Sequence, residues 1–343
     1  MSRSALALVV VLAAVSLGAC QPSATQPTGG LPTPGVKLTV GLGYIPSVQF
    51  APFYYADQAG YYRDAGLDVT FQNQIDPNLI TLVGQGAIDI GLADGTSVVP
   101  AVSQGIPIKY LATVYGTFPN VVISLLPSGI SSAADLKGKR IGIPGRYGSS
   151  WVMLQALLGS ANLTPADVTI VEYPDFGQGS ALARGQVDAA TAFDNNEPIQ
   201  LARQLEGTGI VRLRVDSVIH LPGPGLIAGS ATLQAKRDAI QGFVAATLRA
   251  MRDIAADPAK GVDASIKAVP DLAKDRATQE AILQATIGDW TTPGGSASTY
   301  GAIDGAGWQA TITYLASLGM VPKAVTVDDV IDDLSAVPTP APS

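Results

Sequence analysis

The chain has one cysteine and one histidine in 343 residues. A single thiol allows no intrachain disulfide, and one imidazole with one thiol makes no ligand cluster for zinc, copper or iron. A Ser-His-Asp triad would have to use His220, which sits in VIHLPGPG, and no G-x-S-x-G elbow occurs. His220 therefore reads as a structural residue. No D-x-D-x-D-G loop offers calcium an oxygen cage. Basic runs are missing too: 21 Lys and Arg stand against 28 Asp and Glu, a net charge of −7, which argues against a nucleic-acid partner. Aromatic residues are only 6%, so where they fall carries information. Apolar residues reach 47% and charged ones 14%, enough for a large core. About 300 folded residues suit two lobes better than one small core.

The first twenty residues read MSRSALALVVVLAAVSLGAC. Arg3 is followed by an apolar run, Ala5 to Leu17, shorter than the ~20 residues needed to cross a bilayer. This is the layout of a signal peptide, expected over residues 1–19. The segment ends Leu17-Gly18-Ala19-Cys20, which resembles the lipobox of bacterial lipoproteins. That resemblance implies cleavage before Cys20, acylation of its thiol and a lipid anchor in the outer face of the cell membrane. An ordinary secretory peptide with an incidental cysteine is the plainer alternative. Residues 20–36 and 336–343 are rich in Pro, Gly, Ser and Thr without apolar periodicity, and read as a disordered tether and tail. No second membrane span follows the signal.

Between them, short β-like runs alternate with helical ones: Val36–Gly43, a helix over Phe53–Ala65, Leu67–Phe71, Asn78–Gly84, Ile88–Ala93, Val98–Gln104, Ile108–Tyr115. Alternation at this spacing predicts right-handed crossovers and a largely parallel sheet. The pattern restarts near Lys139, and Gly86-Ala87-Ile88-Asp89 is echoed a hundred residues on by Gly185-Gln186-Val187-Asp188. Two similar α/β lobes are the economical interpretation, although G-x-φ-D is also a common helix-to-strand turn. After Gly223 a short apolar strand, Leu226–Ala228, is followed by a run of helices, as a segment returning to cover the first lobe would be. Lobe 1 is thus expected over 37–123 plus 224–335 and lobe 2 over 124–223, with hinge crossings near Val121–Ser124 and His220–Gly225.

Gly43-Tyr44-Ile45-Pro46 and Gln49-Phe50-Ala51-Pro52-Phe53-Tyr54 resemble the first strand-to-helix segment of ABC-importer solute-binding proteins. More narrowly they match the branch that binds nitrate, sulfonates and thiamine pyrimidine precursors. Ala59–Val69, Gly86–Gly91, Asp135–Gly142 and Gly185–Ala190 follow in the order and spacing of that branch. The resemblance covers roughly 37–325 and implies a two-lobed periplasmic-binding-protein-like fold of type II, with two crossings between the lobes. It further implies a monomer without cofactor that serves an ABC permease and its ATPase. Asn195-Asn196-Glu197-Pro198 is similar to the vitamin-precursor binders, among which a subgroup is proposed to carry riboflavin. The clustered cysteines and histidines of yeast-type pyrimidine-synthesis relatives are absent, which argues against a synthase. A sensor accessory would bind in the same way without importer partners.

Ligands of open α/β lobes sit beyond the carboxyl ends of strands. That rule selects five loops here: Gly43–Phe53, Ala93–Ser97, Tyr115–Phe118, Gly145–Trp151 and Phe193–Glu197. The candidate contacts on them are Tyr44, Gln49, Phe53, Asp94, Thr96, Tyr115, Tyr147, Ser149, Trp151, Phe193, Asn195, Asn196 and Glu197. Aromatic faces with uncharged polar groups suit a flat heterocycle, and riboflavin or an aminopyrimidine is expected, riboflavin first. Asn195 and Asn196 can give and take hydrogen bonds along a heterocycle edge, though an Asx turn is also open to them. Thr96 can equally cap the helix after it. Arg146 beside Gly148-Ser149-Ser150 keeps nitrate or sulfonate open as well. That loop carries neither a Walker A nor a dinucleotide fingerprint.

Overall fold

The computed structural model describes residues 35–73, 78–216, 218–292 and 294–336. The expected signal segment, Cys20, most of the tether and nearly all of the tail lie outside the described residues. Among those described, no helix is long and apolar enough to cross a membrane.

Among the described residues, ten strands make two five-stranded sheets. β1 (Val36–Gly41), β2 (Leu67–Gln72), β3 (Ile90–Ala93), β4 (Ile108–Thr113) and β10 (Gly225–Gly229) form the first, in the order β2-β1-β3-β10-β4. β5 (Asn120–Leu125), β6 (Arg140–Ile143), β7 (Thr169–Glu172), β8 (Ala189–Phe193) and β9 (Ile210–Arg214) form the second, in the order β7-β6-β8-β5-β9. This is the α/β, two-lobed type II architecture. Each sheet has four strands running one way and one reversed: β10 runs antiparallel to β3 and β4, and β5 to β8 and β9. The reversed strands are the ones that follow a crossing. A chain entering a lobe from the cleft must run away from it, against strands that run towards it. β10 is buried at every residue and β5 at all but its last, as strands covered on both faces should be.

The first crossing falls earlier than the sequence pattern indicated. Val121–Ser124 is no linker. It is the middle of β5, wholly buried and paired on both sides, so the links are 114–119 and 215–224. The expected helix over Phe53–Ala65 is also two, Ala51–Gln58 and Tyr61–Asp64, broken at Gly60 with φ of +81°. Beyond β10, helix Ser230–Ala256 lays Phe243 and Met251 against Leu38, Val40 and Ile90. Helix Gly305–Ser317 sets Trp308 and Ile312 against Val98 and Tyr110. The second lobe has its own core of Val122, Ile141, Ile143, Met153 and Leu154.

The echoed G-x-φ-D phrases do the same work in both lobes. Gly86 and Gly185 end a helix in the left-handed region, at φ +74° and +67°. Ile88 and Val187 then enter the core. Asp89 donates its N–H to the Thr39 carbonyl at 3.0 Å and accepts the Thr39 N–H on Oδ2 at 2.9 Å. Asp188 makes the same exchange with Arg140, at 2.8 Å each way. A cation completes each clamp: Lys236 on Asp89 at 2.8 Å, the Arg140 side chain on Asp188 at 2.7 Å.

Candidate functional site

Loops from both sheets meet in one cavity of about 210 Å³. It collects residues that follow β1, β3, β4, β6, β7 and β8, so the carboxyl ends of strands in both lobes face it. Five aromatic side chains border it: Tyr44, Phe50 and Tyr115 from the first lobe, Phe176 and Phe193 from the second. Gln49, Asp94, Ser149 and Ser150 supply its polar side chains.

Gln49 ties the lobes together. Ser47 caps the short turn Val48–Phe50, taking the Gln49 N–H at 3.2 Å and giving its hydroxyl to Gln49 Oε1 at 3.2 Å. So held, Gln49 donates Nε2 to Asn195 Oδ1 at 3.0 Å and accepts Asn196 Nδ2 on Oε1 at 3.2 Å. Asn195 Nδ2 returns to the first lobe, to Thr286 Oγ1 at 3.0 Å, and Gln200 donates to Asn196 Oδ1 at 2.6 Å. Gln49, Asn195, Asn196 and Thr286 are all buried. A network of satisfied amides in low dielectric holds a geometry tightly.

Asp94 is the buried carboxylate of the cavity. It caps helix Gly95–Ser103 through the Ser97 N–H at 3.1 Å and takes the Thr96 hydroxyl at 2.5 Å. Burial pushes its carboxyl up, opposed by hydrogen bonds from Thr96, from Ser149 across the cleft and from the amides of Ser97 and Thr96. Glu197 opens the helix Glu197–Gln204 and accepts the Phe193 N–H at 2.9 Å. Burial raises its carboxyl to about 6, and the Phe193 amide opposes this. The Tyr44 phenol is raised well above its ordinary value by burial, then by Glu197.

Tyr44 and Phe176, one from each lobe, meet edge to face with centroids 5.3 Å apart. Outside them lies a second space of about 330 Å³, a groove bordered by Asn196 and Glu197. Both rings border both spaces. Phe176 sits at φ +60°, a left-handed conformation that costs a bulky residue about 1–3 kcal/mol and clusters at functional sites.

Of the thirteen candidate contacts, Tyr44, Gln49, Asp94, Tyr115, Ser149 and Phe193 border the cavity, and Asn196 and Glu197 the groove. Asn195 and Thr96 stand behind the lining, holding Gln49 and Asp94. Three lie elsewhere. Phe53 is buried in the first-lobe core, stacked on Phe243 at 6.3 Å. Tyr147 is 51% exposed, with its ring folded over Gly145. Trp151 packs on the second-lobe core under the Arg146 guanidinium, 5.5 Å from its ring centre. Phe176 was missed, although it follows β7 and the strand-end rule applies to that loop as well as to the five selected.

Two α/β lobes closed over a cavity at their strand ends define a periplasmic-binding-protein fold with a small-molecule cleft. The chain belongs to the NMT1/THI5-like family, whose profile matches residues 47–261. It is 30% identical over 295 residues to the riboflavin-binding protein RibY of Chloroflexus aurantiacus, covering 85% of this chain and 83% of that one. It is 26% identical over 246 residues to the 4-amino-5-hydroxymethyl-2-methylpyrimidine phosphate synthase of Aspergillus parasiticus, 68% of this chain and 71% of that one. In structure it is similar to the alkanesulfonate-binding protein SsuA of Xanthomonas axonopodis pv. citri, with a TM-score of 0.67 at 21% identity, over 88% of this chain and 99% of that one.

Replacing Gln49 by Ala removes two inter-lobe hydrogen bonds, worth on the order of 1–3 kcal/mol together. The free Gln49→Ala protein is expected to open, with a larger radius of gyration in small-angle scattering and unchanged far-UV circular dichroism. An unchanged radius would show that other contacts keep the lobes shut.

Glu197 has a second readout. Its folded pKa is raised, so its contribution to stability is fully present below 4.5 and is lost as pH rises through about 6. The melting temperature of Glu197→Gln relative to wild type should therefore climb between pH 4.5 and 7. A difference flat across that window would mean the carboxyl is not raised.

Proposed function

We propose that this protein is the substrate-capturing subunit of an ABC importer, held on the outer face of the membrane by lipid on Cys20, and that its ligand is riboflavin. One observation carries the ligand: five aromatic side chains from two lobes converge on a single cavity whose charged group is a carboxylate. Stacking faces hold a flat heterocycle, and the few convergent polar groups orient it. The RibY relative, named for riboflavin binding, supports the same choice.

Capture works by closure. Gln49 meets Asn195 and Asn196, and Asp94 meets Ser149, only when the lobes are together. A ligand touching both lobes adds its contacts to that state alone and shifts the population towards it. The closed form then presents itself to a permease driven by an ATPase. We group the chain with the binders and not with the synthases, because the sequence lacks the cysteine and histidine clusters of the yeast-type enzymes.

A thiamine pyrimidine precursor is the second reading. A cavity of about 210 Å³ admits its single ring, and Asp94 could accept from an exocyclic amino group. An oxyanion is disfavoured. It would face the Asp94 carboxylate, while Arg146 is turned to Glu172 at 3.1 Å and to the face of Trp151.

Riboflavin titrated into the purified protein should lose its fluorescence with a sharp endpoint at one equivalent. No quenching, together with a calorimetric response to the hydroxymethylpyrimidine, would hand the site to the precursor. Expressed in a lipoprotein-processing host, the wild type should incorporate labelled palmitate and Cys20→Ser should not. Equal labelling of both would remove Cys20 as the anchor.

A further inference from the structure

The cavity is smaller than the ~300 Å³ at which sites for drug-sized molecules begin. It takes an aromatic nucleus, and any long substituent must leave it. On the groove side the way out passes between Tyr44 and Phe176. These rings belong to opposite lobes and here touch edge to face at 5.3 Å; opening the cleft parts them, and closing it over a chain that lies between them sets both rings against that chain. Tyr44 follows Gly43, which at φ +70° gives its loop a glycine turn just before the ring.

The groove beyond is chemically one-sided. Its polar lining is hydroxyl and amide, including Ser47, Ser180, Asn196, Gln200, Gln204 and Gln279. Among the described residues, its one carboxylate is Glu197 and no Lys, Arg or His borders it. Amides and hydroxyls both give and take hydrogen bonds, which suits a chain of hydroxyl groups that does the same. A phosphate monoester is the wrong guest. It carries about −1.5 to −2 charges at neutral pH and would find a carboxylate with no cation to offset it.

We propose that the outer groove is a subsite for a neutral, polyhydroxylated side chain of the ligand, with Tyr44 and Phe176 closing as a gate around that chain, so that the protein selects the unphosphorylated form of its heterocycle. This rests on the flavin reading and deepens it. The tricyclic nucleus lies in the inner cavity, the hydroxylated arm passes the gate, and the arm lies along the amides of the helix Glu197–Gln204.

Three flavins sharing one ring system test the proposal by calorimetry: riboflavin, lumiflavin with a methyl group in place of the ribityl arm, and flavin mononucleotide with a phosphate on it. Riboflavin should bind at least tenfold more tightly than either of the others. Gln200→Lys puts a cation at the groove and should raise the affinity for flavin mononucleotide at least fivefold, with little gain for lumiflavin. Equal affinity for riboflavin and lumiflavin would overturn the subsite and leave flavin binding in place. Equal affinity for riboflavin and flavin mononucleotide would overturn the selection. Failure of all three to bind would overturn the flavin reading and the subsite with it.

Discussion

Gln49 sends its amide nitrogen to Asn195 of the opposite lobe and takes the Asn196 amide on its oxygen, an exchange that only the closed cleft allows. Each lobe has its own core, and away from the cavity the two meet in apolar packing, where Val152 of the second lobe joins Val98, Val99 and Trp308 of the first. At the cavity they are joined by directional polar contacts and by the edge of Tyr44 on Phe176. The polar contacts are costly when half made and cheap to break when water can replace them. Thr286 anchors the far side of the cluster through Asn195, which makes the late helix Arg276–Asp289 part of the closing device.

The lobes themselves were legible because their repeats carry function within the fold. Glycine at a helix end, an apolar residue into the core and an aspartate clamped to the first strand form a unit that evolution can place twice. Gly86–Asp89 and Gly185–Asp188 show it with matching bonds to Thr39 and Arg140. The reversed strands were not legible. β5 and β10 read as short apolar runs, and nothing in such a run states its direction. Direction came from where the chain enters each lobe. For the same reason the first link was placed inside β5: a fully buried strand and an apolar linker have the same letters.

Within the site, the loops were predictable and the side-chain directions were not. The strand-end rule needs only the order of elements. Which residue of a loop faces the cavity depends on helical phase. In the helix Gly148–Ser160, Ser149 and Ser150 reach the cavity, and Trp151, one step of about 100° further, turns to the second-lobe core. Phe53 comes three residues after Phe50 and still lies in the core, because Phe243 and Phe71 await it there. Contacts made by residues two hundred positions away cannot be read locally. Large aromatics drew attention in the sequence, while Gln49, whose effect is to couple the lobes, looked like one polar residue among many.

The position of β10 sets an order of assembly. It lies between β3 and β4 in the first sheet, yet it follows the whole of the second sheet in the chain. Emerging from the amino end, the first lobe therefore waits with a gap in its middle while the second lobe, contiguous from β5 to β9, is already complete. The later-made lobe is whole first, and the earlier one closes around a strand delivered after it.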